Sequence, residues 1–493
     1  MNAQSKVLAC LSLLVVIGFF VRAVPHLFFI PMWSPEEEYN YQIVNQLYTL
    51  GQTTQLGTYP VLGHLTVYAL HLVTQINPVL ISQYFNPMFG ALTLIPLFLL
   101  VRKISNEKVA LVSSIFWAFS EAVFYRSAIF SSTEMFAFFI TTCILYLYVN
   151  KKYVPAILLI PLVFYTHLLP AFFISLVIFL HQFIIRSKKI KLLMTVPFAS
   201  VIIFLLSPLN PHQRMLSVID PAVLLSHFSV SNVSIYSLND LSFGITIFLG
   251  TLILGALTVV SLIKYKTQNT FIFTMLLAAT LLFIFSWIVY SPSVFAPPRL
   301  TFYFIVPFIF YASLLITKFN ISGIRMPYIW TYAVIGSIVL MMVMSSVCGA
   351  QTMLFYQNSV TKEEYKALDD LIALNVFTIN PGYWWSDYPV RISITAITTI
   401  TSPNISPTLA VNESRNINSS MQLADQNATL NPDTIYRYVF FSERMEQESF
   451  FTVFTYNRTL QVRQPLHDVW VNSTMWTLIY QDHGVTVYER KIS

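Results

Sequence analysis

The sequence predicts a polytopic α-helical membrane protein over residues 1–350, followed by a small α+β domain over residues 351–493 on one face of the bilayer. Three observations predict it. Of the 493 residues, 56% are hydrophobic and only 10% are charged, against about 25% charged in a soluble globular domain. Apolar runs long enough to cross ~30 Å of hydrocarbon recur through the first 350 positions. Beyond residue 350 charged residues return and apolar residues alternate with polar ones, as in Arg391-Ile392-Ser393-Ile394-Thr395. Backbone polar groups must be satisfied inside lipid, so the spans are helices, and their unbroken apolarity argues against a barrel.

Hydropathy places about eleven spans, near residues 7–24, 80–101, 109–123, 133–149, 153–166, 168–185, 192–208, 243–263, 270–290, 300–317 and 327–349. The fifth and sixth are parted only by Thr166-His167-Leu168-Leu169-Pro170 and read as short or re-entrant. Lys6 before the first run imitates a secretory signal, but no small-x-small cleavage site follows, so this run reads as a retained helix. Cys10, Cys143 and Cys348 lie in or beside apolar runs, which predicts no disulfide framework.

The loops decide orientation. Alternate loops carry Arg102, Lys103 and Lys108; Lys151 and Lys152; Arg186, Lys188, Lys189 and Lys191; Lys264 and Lys266; and Lys318 and Arg325. The opposite face before residue 350 has Arg22, Arg126, Arg214 and Arg299. The positive-inside rule therefore puts the N-terminus in the cytoplasm and the C-terminal domain outside or in a lumen. This placement of basic residues also accounts for the net charge of +6, which is not a nucleic-acid signature. Seven of the eight acids in the first 350 positions then share the outer face: Glu36, Glu37, Glu38, Glu121, Glu134, Asp220 and Asp240, with Glu107 alone inside. Carboxylate chemistry is expected on that face.

In the C-terminal region, Thr361 to Asn375 reads as a helix with Lys362, Glu363, Glu364 and Lys366 on solvated positions. Residues 476–488 read as a hairpin around Asp482-His483-Gly484. Asn-x-Ser/Thr triplets crowd this domain at Asn404, Asn412, Asn418, Asn427, Asn457 and Asn472, and another stands in an outer loop at Asn232. They predict a heavily N-glycosylated surface, with 401–433 as a decorated loop; the triplet at Asn320 falls in an inner loop and should be silent.

The candidate site starts in the first outer loop. It reads Trp33-Ser34-Pro35-Glu36-Glu37-Glu38-Tyr39-Asn40-Tyr41, then a polar stretch with Gly51 and Gly57, then Tyr59-Pro60-Val61-Leu62-Gly63-His64. This arrangement resembles the GT-C superfamily of membrane glycosyltransferases, with its nearest echo in the catalytic subunit of oligosaccharyltransferase. There the loop reads Asp-Pro-Trp-Phe-Asn-Tyr-Arg; here Glu36 stands for the Asp, Tyr39-Asn40-Tyr41 for Phe-Asn-Tyr, and Gln42 departs from the Arg. Arg22 matches an arginine that often precedes the loop. Three further segments follow in family order. Tyr125-Arg126-Ser127 and Glu134 resemble the family's Arg-Ser…Asp-Asn-Glu segment without its Asp. Pro297-Pro298-Arg299-Leu300-Thr301-Phe302, with Pro307 beyond, resembles a late helix start whose arginine contacts the donor phosphate. Tyr383-Trp384-Trp385-Ser386-Asp387-Tyr388-Pro389 resembles Trp-Trp-Asp-Tyr-Gly, with a serine inserted and Pro389 in place of Gly. Ser229-Val230-Ser231 is followed by Asn232 where the family has a Glu, so its third metal-site acid is missing.

The resemblance implies a transfer of sugar from a polyprenyl-phosphate-linked donor to an acceptor, asparagine in protein by the nearest echo. It assigns Glu36 and Glu37 to catalysis, Glu36 and Glu134 to Mn2+ or Mg2+, and Arg299, Arg126 and His64 to the donor phosphate. Trp384, Trp385 and Asp387 are assigned to the acceptor. The chemistry is consistent: carboxylate oxygens suit Mg2+ or Mn2+, and an arginine pairs bidentately with phosphate as leaving-group charge develops. Each residue has a plainer reading beside it. Glu36–Glu38 and Glu134 also serve as helix-start caps, Arg299 as a snorkelling end residue, His64 and His167 as satisfied polar groups in a bundle, and Trp384-Trp385 as interfacial anchors. Three alternatives stay open. One is metal-independent transfer from a lipid monophosphate to protein hydroxyls or a surface glycan. Another is a degenerate member that binds lipid-linked sugar without turnover. The last is a transporter or scaffold, against which stand the absence of a sequence repeat and the acids' gathering at one face.

Overall fold

The structure is a computed structural model that describes residues 3–27, 29–31, 62–76, 78–129, 133–185, 249–265, 269–288, 301–318, 320–321, 324–325, 328–349, 359–374, 376, 384–385, 438–443, 450–455, 458–463 and 476–491. The chain forms two compact units: Met1–Pro25 with Thr54–Thr352, and His26–Thr53 with Met353–Ser493.

The described part of the first unit is helical, apart from a short antiparallel ladder that pairs Asn320–Ile321 with Ile324–Arg325. Its helices in chain order are α1 (Ala3–Ala23), α2 (Leu62–Thr74), α3 (Pro78–Leu92), α4 (Leu94–Ile104), α5 (Glu107–Phe119), α6 (Glu121–Phe124), α7 (Glu134–Val149), α8 (Tyr153–Thr166), α9 (Leu168–Ile184), α10 (Leu249–Tyr265), α11 (Thr270–Ile288), α12 (Ile305–Lys318) and α13 (Tyr328–Gly349). Among the described residues, three helices are long and apolar enough to cross a membrane: Ser5–Leu27, Leu80–Ile104 and Trp330–Val347. A fourth span is made if Glu107–Phe119 and Glu121–Ser127, bent by 52° to one another, count as one. Shorter apolar helices fill the other predicted runs, from Glu134–Val149 to Phe302–Lys318. The predicted span at 192–208 lies outside the described residues. Large apolar side chains face outward on α1 (Leu8, Leu13, Phe20), α8 (Val154, Leu158), α10 (Val259, Ile263) and α13 (Trp330, Leu340, Met344). A helix apolar on its exposed face as well as its packed one is built for lipid.

Local chemistry sets the ends of these helices. Asn106 is extended and accepts the Val109 N–H at 3.0 Å, with Glu107 in the first turn; both complement the orphan donors and dipole at a helix start. Asn269 does the same for α11, accepting from Phe271 and Ile272. His167 is extended, ends α8 and accepts the Leu169 N–H at the start of α9. Ser120, extended at φ −61° and ψ 125°, separates α5 from α6. One helix departs from the sequence reading. Residues 62–74, whose first positions read as loop, form α2, so His64 is helical. Its 13 residues are too few to register as a span, which needs about 17–25.

The core of this unit centres on Trp117. It is wholly buried, stacks on Phe138 with ring centroids 5.5 Å apart, and donates from its indole N–H to the Gly90 carbonyl at 2.9 Å. Phe302 closes the cluster edge-on to Phe138 at 4.7 Å.

The second unit is α+β where it is described. Strand Phe29–Pro31 pairs antiparallel with Ser359–Thr361. Helix α14 (Lys362–Ala373) follows, opened by a capping box. The Thr361 hydroxyl accepts from the Glu364 N–H at 3.1 Å, and the Glu364 carboxylate accepts from the Thr361 N–H at 2.8 Å. Glu364, expected on a solvated position, is instead buried, and its other oxygen accepts from the Ser442 hydroxyl. A four-stranded sheet runs in the order Trp384–Trp385, Tyr438–Ser442, Val485–Arg490, Trp476–Asp482, with the first pair parallel and the others antiparallel. The predicted hairpin is present. His483 at φ 52° and Gly484 at φ 66° form its two-residue turn, because both central residues of a type I′ turn need positive φ. A separate hairpin pairs Phe450–Thr455 with Arg458–Arg463.

Candidate functional site

Five elements of the first unit meet at the start of α7, around Thr133 and Glu134. Glu134 is the first residue of α7 and is 1% exposed. One of its oxygens lies 3.4 Å from Nη1 of Arg126. The other accepts the Tyr303 hydroxyl at 3.0 Å. Arg126 sits in a π-helical turn, Tyr125–Ile129, that continues from α6. Tyr303 is wholly buried in the 3-10 turn Thr301–Phe304 that leads into α12, with the ring of Phe173 5.0 Å away. Thr133, just before Glu134, makes no cap bond to its own helix and donates instead to the Thr166 carbonyl at 2.7 Å. The start of α2 reaches the same point. A Cβ on Gly63 would stand 2.1 Å from a Thr133 methyl, so only glycine lets α2 come this close. An isolated carboxylate in apolar surroundings costs several kcal/mol. A guanidinium and a phenolic hydroxyl offset that here and fix the carboxylate's orientation.

A second set of buried charges holds the break at Ser120. Arg22 is wholly buried and donates to the carbonyls of Gly18, Trp117 and Ala118 at 2.6, 2.8 and 3.0 Å. The last two belong to the final turn of α5, where a cation meets the negative end of the dipole. On the other side of the break, buried Glu121 accepts the Thr251 N–H in the first turn of α10. Gly250 makes room: a Cβ there would stand 2.8 Å from a Glu121 oxygen. Tyr125 adds a hydroxyl bond to the Ser345 carbonyl of α13 at 3.0 Å. Arg126 is thus carried on a segment whose preceding residues are tied to α1, α10 and α13.

The residues expected from sequence meet different fates. Arg126 and Glu134 come together as an ion pair. His64 is placed by its backbone beside Gly63, hence next to the Thr133–Glu134 helix start. Trp384 and Trp385 form an edge strand of the second unit, parallel to Tyr438 and Val439. Glu36, Glu37, Arg299, Asp387 and the glycosylation asparagines Asn232, Asn404, Asn412, Asn418, Asn427, Asn457 and Asn472 lie outside the described residues. Arg22, matched to a family arginine from sequence, is bonded to three main-chain carbonyls.

The described residues do not by themselves make a metal centre. Glu134, expected to hold Mn2+ or Mg2+ with Glu36, faces a guanidinium at one oxygen and a hydroxyl at the other. Among the described residues no three His, Cys, Asp or Glu side chains gather into a cation site. Sequence reasoning missed Tyr303, Gly63 and Gly250, and placed Glu121 on a face without giving it a role. The signal for Glu121 was an acid inside an apolar run; for Tyr303 it was one hydroxyl between Phe302 and Phe304. The glycines had no local signal, since each serves a partner far along the chain.

No protein-family model matches the chain, and no curated protein matches it in sequence. Solved structures do. The archaeal oligosaccharyltransferase AglB from Archaeoglobus fulgidus, in complex with an inhibitory peptide and a dolichol-phosphate, is similar over 94% of this chain and 75% of that one at 13% identity, with TM-score 0.56. ArnT from Cupriavidus metallidurans bound to undecaprenyl phosphate is similar over 99% and 98% at 11% identity, with TM-score 0.55. The arabinofuranosyltransferase AftD from Mycobacteria is similar over 100% and 40% at 9% identity, with TM-score 0.51. All three are GT-C glycosyltransferases, and the chain has their fold.

Proposed function

We propose that this protein is an integral-membrane glycosyltransferase that takes a sugar or oligosaccharide from a polyprenyl-phosphate-type lipid and passes it to an acceptor on the outer or lumenal face. Fold alone does not give chemistry. The observation that carries the reading is the buried Arg126–Glu134–Tyr303 set where five elements meet, in a fold whose solved examples include proteins bound to dolichol-phosphate and undecaprenyl phosphate. Buried ionisable groups in a membrane protein are rarely idle. The bend at Ser120 is also the kind of break that transporters use, but the fold likeness favours the transferase.

In the proposed reaction the acceptor nucleophile attacks the anomeric carbon from the side opposite the lipid phosphate. A new bond forms to the acceptor, the bond from carbon to phosphate oxygen breaks, and the electron pair leaves with the polyprenyl phosphate. The configuration inverts. Arg299 and Arg126, with His64, face the phosphate oxygens, where charge grows in the transition state. Glu36 or Glu37 orients the acceptor and takes its proton. Glu134 holds Arg126 in place. No step is assigned to a metal ion.

By the sequence resemblance the acceptor is asparagine in protein, met by Trp384, Trp385 and Asp387. A second reading, transfer from a lipid monophosphate to protein hydroxyls or a surface glycan, is favoured by two observations. The match to ArnT extends over nearly the whole of both chains. Glu134 is already engaged by Arg126 and Tyr303. The test is incubation of purified protein with polyprenyl pyrophosphate-linked or monophosphate-linked sugars, offering an Asn-x-Thr peptide or a hydroxyl acceptor, with and without excess chelator. Product that persists in chelator selects the second reading. Equal product from wild type, Glu36→Ala, Arg126→Ala and Arg299→Ala removes the site assignment. No product from wild type with any donor removes the function.

A further inference from the structure

We infer that Tyr303 is a positioning residue for donor binding: through Glu134 its hydroxyl sets the aim of Arg126 and locks the turn that follows Arg299 to the same carboxylate. This rests on reading the site as the donor-phosphate site.

Among the described residues, the carboxylate of Glu134 bridges two partners, one at each oxygen. Arg126 stands at 3.4 Å from one and the Tyr303 hydroxyl at 3.0 Å from the other. The partners come from different elements, the π-helical turn Tyr125–Ile129 and the 3-10 turn Thr301–Phe304. A carboxylate held at a single oxygen rotates about its last side-chain bond. Held at both, it presents a fixed acceptor to the guanidinium, and a guanidinium that reads phosphate depends on fixed planar geometry. Tyr303 is also the fourth residue after Arg299. Its bond to Glu134 therefore ties the turn Thr301–Phe304 to the start of α7.

The ring of Tyr303 is packed independently of its hydroxyl. Phe173, Phe302 and Phe138 lie with ring centroids 5.0, 5.7 and 6.0 Å away, all aromatic contacts that a phenylalanine also makes. The flanking residues Phe302 and Phe304 show that the run needs aromatic bulk rather than polarity. A hydroxyl buried here needs a partner, and among the described residues it donates to Glu134. Tyr303→Phe thus removes the clamp and leaves the packing.

The experiment measures binding of undecaprenyl phosphate, without turnover, to full-length wild type, Tyr303→Phe, Glu134→Gln and the double variant in detergent, with thermal unfolding in parallel. Tyr303→Phe is expected to fold with an unfolding midpoint lowered by the loss of one hydrogen bond to a charged group, and to bind about tenfold more weakly. The double variant should bind no more weakly than Glu134→Gln alone, because the two residues act as one unit. A Tyr303→Phe protein that binds as wild type does, or losses that add in the double variant, would overturn the role. Wild type that binds no undecaprenyl phosphate removes the donor-site reading instead, and the clamp's purpose with it. Should Tyr303→Phe fold poorly, Glu134→Gln with Glu134→Asp carries the test: a clamp that depends on reach loses binding in the Asp variant although the charge is kept.

Discussion

Arg22 offers the sharpest test of how this helical unit is held. The perturbation is Arg22→Met, which keeps most of the stem and removes the head. Two effects oppose. The guanidinium is wholly buried and, among the described residues, has no carboxylate within 4.0 Å, so deleting it recovers desolvation. Replacing a buried ion pair by apolar residues is often neutral or stabilising by about 1–4 kcal/mol. That gain requires both polar partners to go. Here the partners are main-chain carbonyls, which stay. Gly18 sits inside α1, four residues before Arg22 along the helix. Trp117 and Ala118 are in the last turn of α5, where the break at Ser120 leaves carbonyls without intrahelical donors. The site is wholly buried, so no water replaces the lost donors. Two orphaned carbonyls at about 1–3 kcal/mol each give a loss of about 2–6 kcal/mol, so the carbonyls outweigh the desolvation. Arg22→Lys should recover roughly half, because a point-like ammonium serves one carbonyl well and the fork serves two. The assay is reversible unfolding in mixed micelles titrated with dodecyl sulfate, followed by helical circular dichroism. A methionine variant as stable as wild type, or more so, would refute the reasoning and show that desolvation dominates.

The remaining predictions are local. Gly63→Ala should cost about 1–3 kcal/mol by the same titration, as overpacking does, since the new Cβ would stand 2.1 Å from a Thr133 methyl; an unchanged midpoint would mean that α2 does not depend on this contact. Thr361→Ala removes one arm of the capping box and should weaken α14 by about 0.5–2 kcal/mol. Hydrogen exchange in the full chain should speed up at residues 362–367 and not in α5 or α7. Asp369 is held above the usual aspartate range by partial burial and by the like charge of Asp370. With the folded pKa raised, its favourable contribution is complete below the ordinary aspartate value and is lost as pH rises through the raised one. Protection of α14 by exchange should therefore decline over that window, and Asp369→Asn should remove the decline; identical profiles for the two proteins would count against it.

Much of the helical unit was legible in the sequence. The helices Glu134–Val149, Tyr153–Thr166 and Leu168–Ile184 fall almost on the predicted runs, because a hydropathic run and its flanking polar residues act within one segment. The same holds for the hairpin at Asp482-His483-Gly484, where positive φ is a property of two adjacent residues. Arg126 and Glu134 could be picked out one at a time as charges in apolar surroundings. Their pairing could not, and neither could Tyr303, which reads as one more aromatic in an aromatic run.

The sequence by itself determined the solvent this protein is built for, the positions of its apolar helices and the scarcity of its charges. Only the tertiary structure decided which charge meets which: Glu134 with Arg126 and Tyr303, Glu121 with the start of α10, Arg22 with the end of α5. The physical reason is range. Hydropathy and turn preference are set by neighbours along the chain, whereas a hydrogen bond across 169 or 95 positions depends on how whole helices pack, and glycines such as Gly63 and Gly250, silent in the sequence, set how closely they do.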